Sequence, residues 1–276
     1  MKDKLGIALR GLCMGAADAV PGVSGGTVAL IAGIYARLIA VIGAVGPGLW
    51  PVWRSRGVKG VWDALDGGFA LPLVIGIAAG LLGLSKLVLL GLESQPALVW
   101  AIFLGLVLGA VPMLARSIPR WSLSGVLCMA MGLGVAAGLG ALEATLPHTQ
   151  IGFAVGGLLA LSAMILPGLS GSFVLLLLGL YQPVFSALHA LDWVVIVPFA
   201  GGALVGLVGM ARVLAWLFKR HEPQVMAALI GLMLGSCVQL WPFAHAPLTA
   251  INGVTAATGV VVGVLAVWGL DRWSNR

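Results

Sequence analysis

The sequence predicts an all-α polytopic membrane protein built as an inverted repeat. Each half is one re-entrant helical hairpin plus three transmembrane helices, with both termini in the cytoplasm. Three observations carry this reading. The 276 residues are 61% hydrophobic and only 9% charged, with a mean hydropathy of +1.11, whereas a soluble fold carries about a quarter charged residues. A Pro-Gly-x-Ser-Gly motif occurs twice, in equivalent surroundings. The basic residues gather on one side of the membrane when both motifs are read as re-entrant.

Composition sets the class. The 41 glycines are roughly twice the usual share and follow no Gly-X-Y period. Long Leu/Val/Ala runs with abundant glycine mark packed transmembrane helices. This excludes a soluble enzyme, a DNA-binding domain and a secreted disulfide scaffold. The net charge of +6 does not indicate a nucleic-acid partner, because the cations lie in short loops where topology places them. Cys13, Cys128 and Cys237 form no C-x-x-C pair and read as small apolar fillers. No two of His148, His189, His221 and His245 stand at i, i+4, so no metal site and no cofactor is expected. Residues 1–19 mimic a signal peptide, with Lys2 and Lys4, an apolar stretch and Ala-Ala-Asp-Ala. Arg10 interrupts the apolar stretch, and the next segment recurs later in the chain, so residues 1–19 are read as part of the mature fold.

The repeat is explicit. Residues 21–35 read PGVSGGTVALIAGIY and residues 167–181 read PGLSGSFVLLLLGLY, with eight of fifteen positions identical at an offset of 146. The matches run from Pro21/Pro167 and Gly22/Gly168 through Ser24/Ser170 and Gly25/Gly171 to Tyr35/Tyr181. At an offset of 126, Pro72, Gly76, Gly80, Gly83 and Lys86 align with Pro198, Gly202, Gly206, Gly209 and Arg212. At the same offset Gly105 and Gly109 align with Gly231 and Gly235. The offset falls because the first half carries a longer loop over residues 46–69. The halves are 1–147 and 148–276, together one membrane domain.

Six segments are long enough for a core of about 30 Å: 70–92, 96–115, 122–146, 193–217, 224–244 and 253–270. The two motif segments, 5–35 and 151–181, are different. After each Pro-Gly-x-Ser-Gly break only about nine apolar residues remain, or about 13 Å of helix, so each reads as a limb in, a break at mid-depth and a half-helix back out. With the N-terminus inside, thirteen of the fifteen basic residues become cytoplasmic; Lys86 and Arg212 stay within spans. Three spans per half is an odd number, so the second half is inverted and the two breaks meet near the midplane, an arrangement typical of transporters.

The motif chemistry suits an anion. Ser24, Gly25, Gly26 and Thr27 open one half-helix, and Ser170, Gly171 and Ser172 open the other. Free N–H groups, the helix dipole and serine hydroxyls there favour phosphate. The same residues also serve a tight turn and close packing. Lys86 and Arg212 are equivalent cations within spans, placed either to guard an anion pathway or to snorkel to headgroups. Asp18, whose repeat mate is Met164, breaks the symmetry; it reads as a coupling or gating carboxylate, or else as a partner of Arg10 or an interfacial cap. Tyr35, Tyr181 and most of the tryptophans are expected in aromatic belts at span ends. The segment Trp50 to Trp62, with Arg54, Arg56 and Lys59, reads as an interfacial stretch facing anionic headgroups.

At these residues the chain resembles a known family. MGAADAVPGVSGGT followed by Gly-x-Tyr, with the second copy AMILPGLSGS, is similar to the bacterial polyprenyl-phosphate transporters over essentially the whole chain. The resemblance implies a non-enzymatic translocase in the bacterial cytoplasmic membrane. Its substrate would be undecaprenyl phosphate, returned from the outer to the inner leaflet for cell-envelope synthesis. It assigns phosphate contacts to Ser24, Gly25, Gly26, Ser170, Gly171 and Ser172; Lys86 and Arg212 come from the repeat alignment instead. Motif 2 departs at Ser172 and Phe173, where motif 1 has Gly26 and Thr27, so the half-sites are expected to contribute unequally. Membrane lipids are the expected surroundings, protons or sodium the candidate coupling ions, and the glycine-rich faces permit a homodimer. The alternative is a small-anion channel or ion-coupled carrier of the same fold. An intramembrane hydrolase is disfavoured because no histidine lies at depth.

Overall fold

The computed structural model describes residues 2–18, 24–139, 145–244, 247 and 249–274. Among these residues all regular structure is helical. In chain order come α1 (Lys2–Asp18), α2 (Gly25–Ile31), α3 (Tyr35–Ala44), α4 (Leu49–Ala64), α5 (Gly67–Ala79), a π turn (Gly80–Leu84), α6 (Ser85–Ser94), α7 (Pro96–Arg116) and α8 (Leu123–Leu139). They are followed by α9 (Gln150–Met164), α10 (Gly171–Leu177), α11 (Tyr181–Ala190), α12 (Trp193–Ser236) and α13 (Ala250–Ser274). The helices Pro96–Arg116 and Trp193–Ser236 and the stretch Ala250–Gly269 are long and apolar enough to cross a membrane, and several shorter apolar helices accompany them. This is a multi-pass helical membrane protein.

Local chemistry explains the breaks. Ser24 and Ser170 cap α2 and α10 from extended backbone, their side chains accepting from Gly26 N–H and Phe173 N–H. Both short helices then end in the same way. Gly33 and Gly179 stand at φ +69° and +68°. Ile34 N–H bonds Ala29 O at 3.0 Å, and Leu180 N–H bonds Leu175 O at 2.9 Å. These are paired Schellman caps, which need a residue without a Cβ at that point. The Gly-x-Tyr ending of the motif is thus a helix stop followed by a new helix start. Tyr35 and Tyr181 open α3 and α11, two helices that the sequence reading did not assign. The chain bends by 115° between α10 and α11, and by 106° between α3 and α4. Residues 49–64, expected as a loop, form α4, with Trp50, Trp53, Val58 and Trp62 exposed. The long α12 breaks at His221 (φ −140°, ψ 41°), beside Pro223, which has no N–H to bond back to Lys219.

Glycine faces set the helix pairs, and the contacts recur in register. A methyl group at Gly76 or Gly80 of the α5 region would overlap the Ala8 or Leu12 carbonyl of α1. At the repeat mates, Gly202 and Gly206 of α12 meet the Ala154 and Leu158 carbonyls of α9. Two further glycine pairs join helices far apart in the chain. Gly105 and Gly109 of α7 lie against Val260 and Val264 of α13, and Gly231 and Gly235 of α12 lie against Met129 and Leu133 of α8. α7 therefore packs on α13, and the far limb of α12 packs on α8. The main core gathers α1, α2, α3, α5, α7 and α12 around Phe69, Tyr35, Ile230 and Met233. A smaller cluster around Phe153, Leu175 and Leu180 joins α9, α10 and α11.

Candidate functional site

The two motif loops meet, and they interlock unequally. Ser24 is buried. Its hydroxyl donates to the Met164 carbonyl at 3.2 Å and accepts from Gly26 N–H at 3.1 Å. In this way the first motif ties off the free carbonyls at the end of α9. The Thr27 hydroxyl oxygen accepts from Gly168 N–H at 2.8 Å, and Gly168 stands at φ +87° against the Leu232 carbonyl. The Tyr35 hydroxyl donates to the Ile165 carbonyl at 3.0 Å. Tyr35 is only 2% exposed, so it is a strut of the core. The expected place in an aromatic belt is wrong for this residue, because its phenol is required by a buried carbonyl. Tyr181 is half-buried, its ring tilted against Phe185 with the centroids 4.5 Å apart.

Asp18 closes α1 and reaches forward to α2. Gly25 N–H donates to its Oδ1 at 2.7 Å, so the chain's own carboxylate stands where the first half-helix offers an anion its N–H groups. Neither Arg10 nor any other cation is needed to explain its position. In the second motif Ser170 Oγ and Ser172 Oγ lie 2.8 Å apart. They line a cavity of about 150 Å³, together with Asp18, Met164, Gly171 and Phe185 among its walls. An enclosed cavity of about this volume takes up a benzene-sized molecule.

The structure thus brings Asp18, Ser170, Gly171 and Ser172 together. Ser24, Gly25, Gly26 and Thr27 lie at the neighbouring loop junction and are engaged with Asp18 and the second motif. Arg212 points elsewhere. Its Nε donates to the Gly43 carbonyl at 3.0 Å and its Nη2 to the Val45 carbonyl at 2.7 Å, capping α3. Lys86 lies in α6, but its side chain is outside the described residues, as are Pro21 and Gly22. Pro167 is fully buried in the second loop. Sequence reasoning missed Phe185 as a wall of the cavity. Its i, i+4 spacing from Tyr181 on a short helix was the available signal.

Comparison with known proteins gives a consistent picture. A protein of Vibrio cholerae named polyprenyl-phosphate transporter is 40% identical over 236 residues, covering 85% of this chain and 77% of the relative. A Staphylococcus aureus protein of the same name is 30% identical over 268 residues, covering 85% of each. No solved structure gives a significant match. The profile of one family, described as undecaprenyl phosphate translocase-like, matches residues 14–267. With nearly the whole chain matched, both motifs included, the protein belongs to the undecaprenyl phosphate translocase-like family.

Proposed function

We propose that this chain returns undecaprenyl phosphate from the outer to the inner leaflet of the bacterial cytoplasmic membrane, supplying lipid carrier for cell-envelope synthesis. The carrying observation is the cavity of about 150 Å³ where two serine hydroxyls and one carboxylate converge. A bare phosphate monoester in hydrocarbon would cost tens of kcal/mol, roughly, on a Born estimate. Ser170, Ser172 and the first N–H groups of α10 offer a replacement for its hydration, while the isoprenoid tail stays in lipid. Asp18 faces the same space and, when ionised, repels a phosphate. Its protonation would remove that repulsion, which makes it the residue through which headgroup entry couples to a proton.

The architecture in this reading is an inverted repeat of residues 1–147 and 148–276, with both termini inside. The recurring glycine contacts and the one-sided cations support it. Ser24, Gly25, Gly26 and Thr27 form the opposite half-site, occupied by Asp18 and the second motif in this state. The names of the relatives favour a lipid phosphate over a free anion.

The test is flipping of a fluorescent polyprenyl phosphate in proteoliposomes. Ser170→Ala/Ser172→Ala should slow flipping roughly tenfold or more, the equivalent of at least one hydrogen bond to a charged group. Asp18→Asn should flatten the pH dependence. Folded wild type that flips no lipid but takes up inorganic phosphate, uncompeted by polyprenyl phosphate, would overturn the proposal in favour of a small-anion carrier.

A further inference from the structure

The two hairpins have matching sequences but stand in different states. α3 is part of the main core: Tyr35 and Ile39 are buried in it, and Tyr35 meets Phe218 edge-on at 6.0 Å. Its last carbonyls, Gly43 O and Val45 O, are held by Arg212 from α12. A guanidinium at a helix C-terminus both satisfies orphan acceptors and opposes the negative end of the dipole. α11, the repeat mate of α3, is held differently. It packs on α10 and α12 and belongs to the smaller cluster. The extensive packing between α3 and α12 has no comparable counterpart between α11 and α5–α6 among the described residues.

The repeat offsets say what that counterpart would be. The mates of Gly43 and Val45 are His189 and Leu191, at the end of α11, and the mate of Arg212 is Lys86. The span carrying Lys86 differs from its mate just before this residue. It passes through a π turn at Gly80–Leu84, whereas α12 is regular helix through Arg212. A π turn rotates the next residues off the α-helical register and often marks a functional site.

We infer that Arg212 and Lys86 are alternate clasps. Arg212 holds the end of α3 in this state, with the cavity lying beside α11. When the opposite side opens, Lys86 takes the carbonyls of His189 and Leu191, and Arg212 releases α3. They act as positioning residues for the hairpins and do not contact the phosphate. This inference rests on the transport reading above, because alternation between two states is what an inverted pair of hairpins would be for.

Paired cysteines test it in the full chain, with Cys13, Cys128 and Cys237 replaced by alanine. Gly43→Cys/Ala211→Cys reports the first clasp, since a Cβ at Gly43 faces the Ala211–Arg212 backbone. Ser85→Cys/His189→Cys, its repeat mate, reports the second. In proteoliposomes the first pair should cross-link at rest, and the second should gain when polyprenyl phosphate is added. Arg212→Gln should shift the ratio of the two cross-links toward the second pair roughly tenfold, and Lys86→Gln should shift it the other way by a similar factor. Arg212→Lys and Lys86→Arg should stay near wild type. A merely structural role would move both glutamine variants in one direction, and that result overturns the clasp. So does a second pair that never cross-links in protein that flips lipid. Alternation of the pairs in protein that flips no lipid would instead sustain the clasp and overturn the transport reading.

Discussion

The hydroxyl of Tyr35 and the carbonyl of Ile165 are 130 positions apart in sequence and 3.0 Å apart in space. This bond fastens the start of α3 to the end of α9, and it is fully buried. Tyr35→Phe keeps the ring and leaves the carbonyl unpaired, which should cost about 1–3 kcal/mol. Thermal unfolding in detergent should show the loss, and Tyr181→Phe, at the half-buried mate, should lose less.

The stop at the end of α2 depends on backbone shape alone. Gly33 stands at φ +69°, and a Cβ there would touch nothing within 4 Å. Gly33→Ala should therefore cost about 1–2 kcal/mol, the left-handed penalty for a residue with a Cβ. Gly33→Asn should recover part of that. Equal melting temperatures for the alanine and asparagine variants would contradict this account.

Gly201 and Gly202 are neighbours with opposite prospects. A Cβ at Gly201 enters open space, whereas at Gly202 it overlaps the Ala154 carbonyl. Gly202→Ala should destabilise by about 1–3 kcal/mol through forced helix separation. Gly201→Ala should be neutral or gain up to about 1 kcal/mol from helix propensity. Parallel melts of the two variants check the contrast.

Arg37 Nε meets Asp66 Oδ2 at 2.6 Å on an exposed face. The guanidinium holds the Asp66 carboxyl below the usual carboxylate range. A depressed folded pKa gives stability that is present above the ordinary value of about 3.9 and is lost as pH falls through the folded value. Asp66→Asn should cost at most about 1 kcal/mol at neutral pH, as exposed pairs do. The gap from wild type should close below about pH 4 and narrow in high salt.

Much of the frame was legible because the signals were covalent or compositional. Pro-Gly-x-Ser-Gly announced two helix starts, and Ser24 and Ser170 do cap α2 and α10. The glycines at offset 126 announced a shared packing face, and Gly76 and Gly202 meet equivalent carbonyls. What stayed hidden was chosen by the backbone. Arg212, Tyr35 and Ser24 all donate to main-chain carbonyls, and an acceptor of that kind leaves no trace in residue type. α4 was hidden for another reason. Its stretch Trp-Arg-Ser-Arg-Gly-Val-Lys-Gly has weak helix propensity, and Gly57 at φ +61° interrupts it. Ser172 and Phe173 led to the expectation that the two motifs contribute unequally; the difference that the structure shows is Asp18, whose carboxylate meets Gly25 N–H at the first motif and whose repeat mate is Met164.

The pairing of α7 with α13 and of α8 with α12 bears on how the chain is made. α7 emerges early in synthesis, yet the surface that Gly105 and Gly109 present belongs to α13, which appears after every other described helix. α8 likewise waits for the far limb of α12. During membrane insertion the α8 face therefore stays unmated until residues 224–236 of α12 arrive and the α7 face until α13 does, and a ribosome stalled before residue 250 would leave the Gly105–Gly109 face of α7 uncovered in the bilayer, a ready mark for membrane quality control.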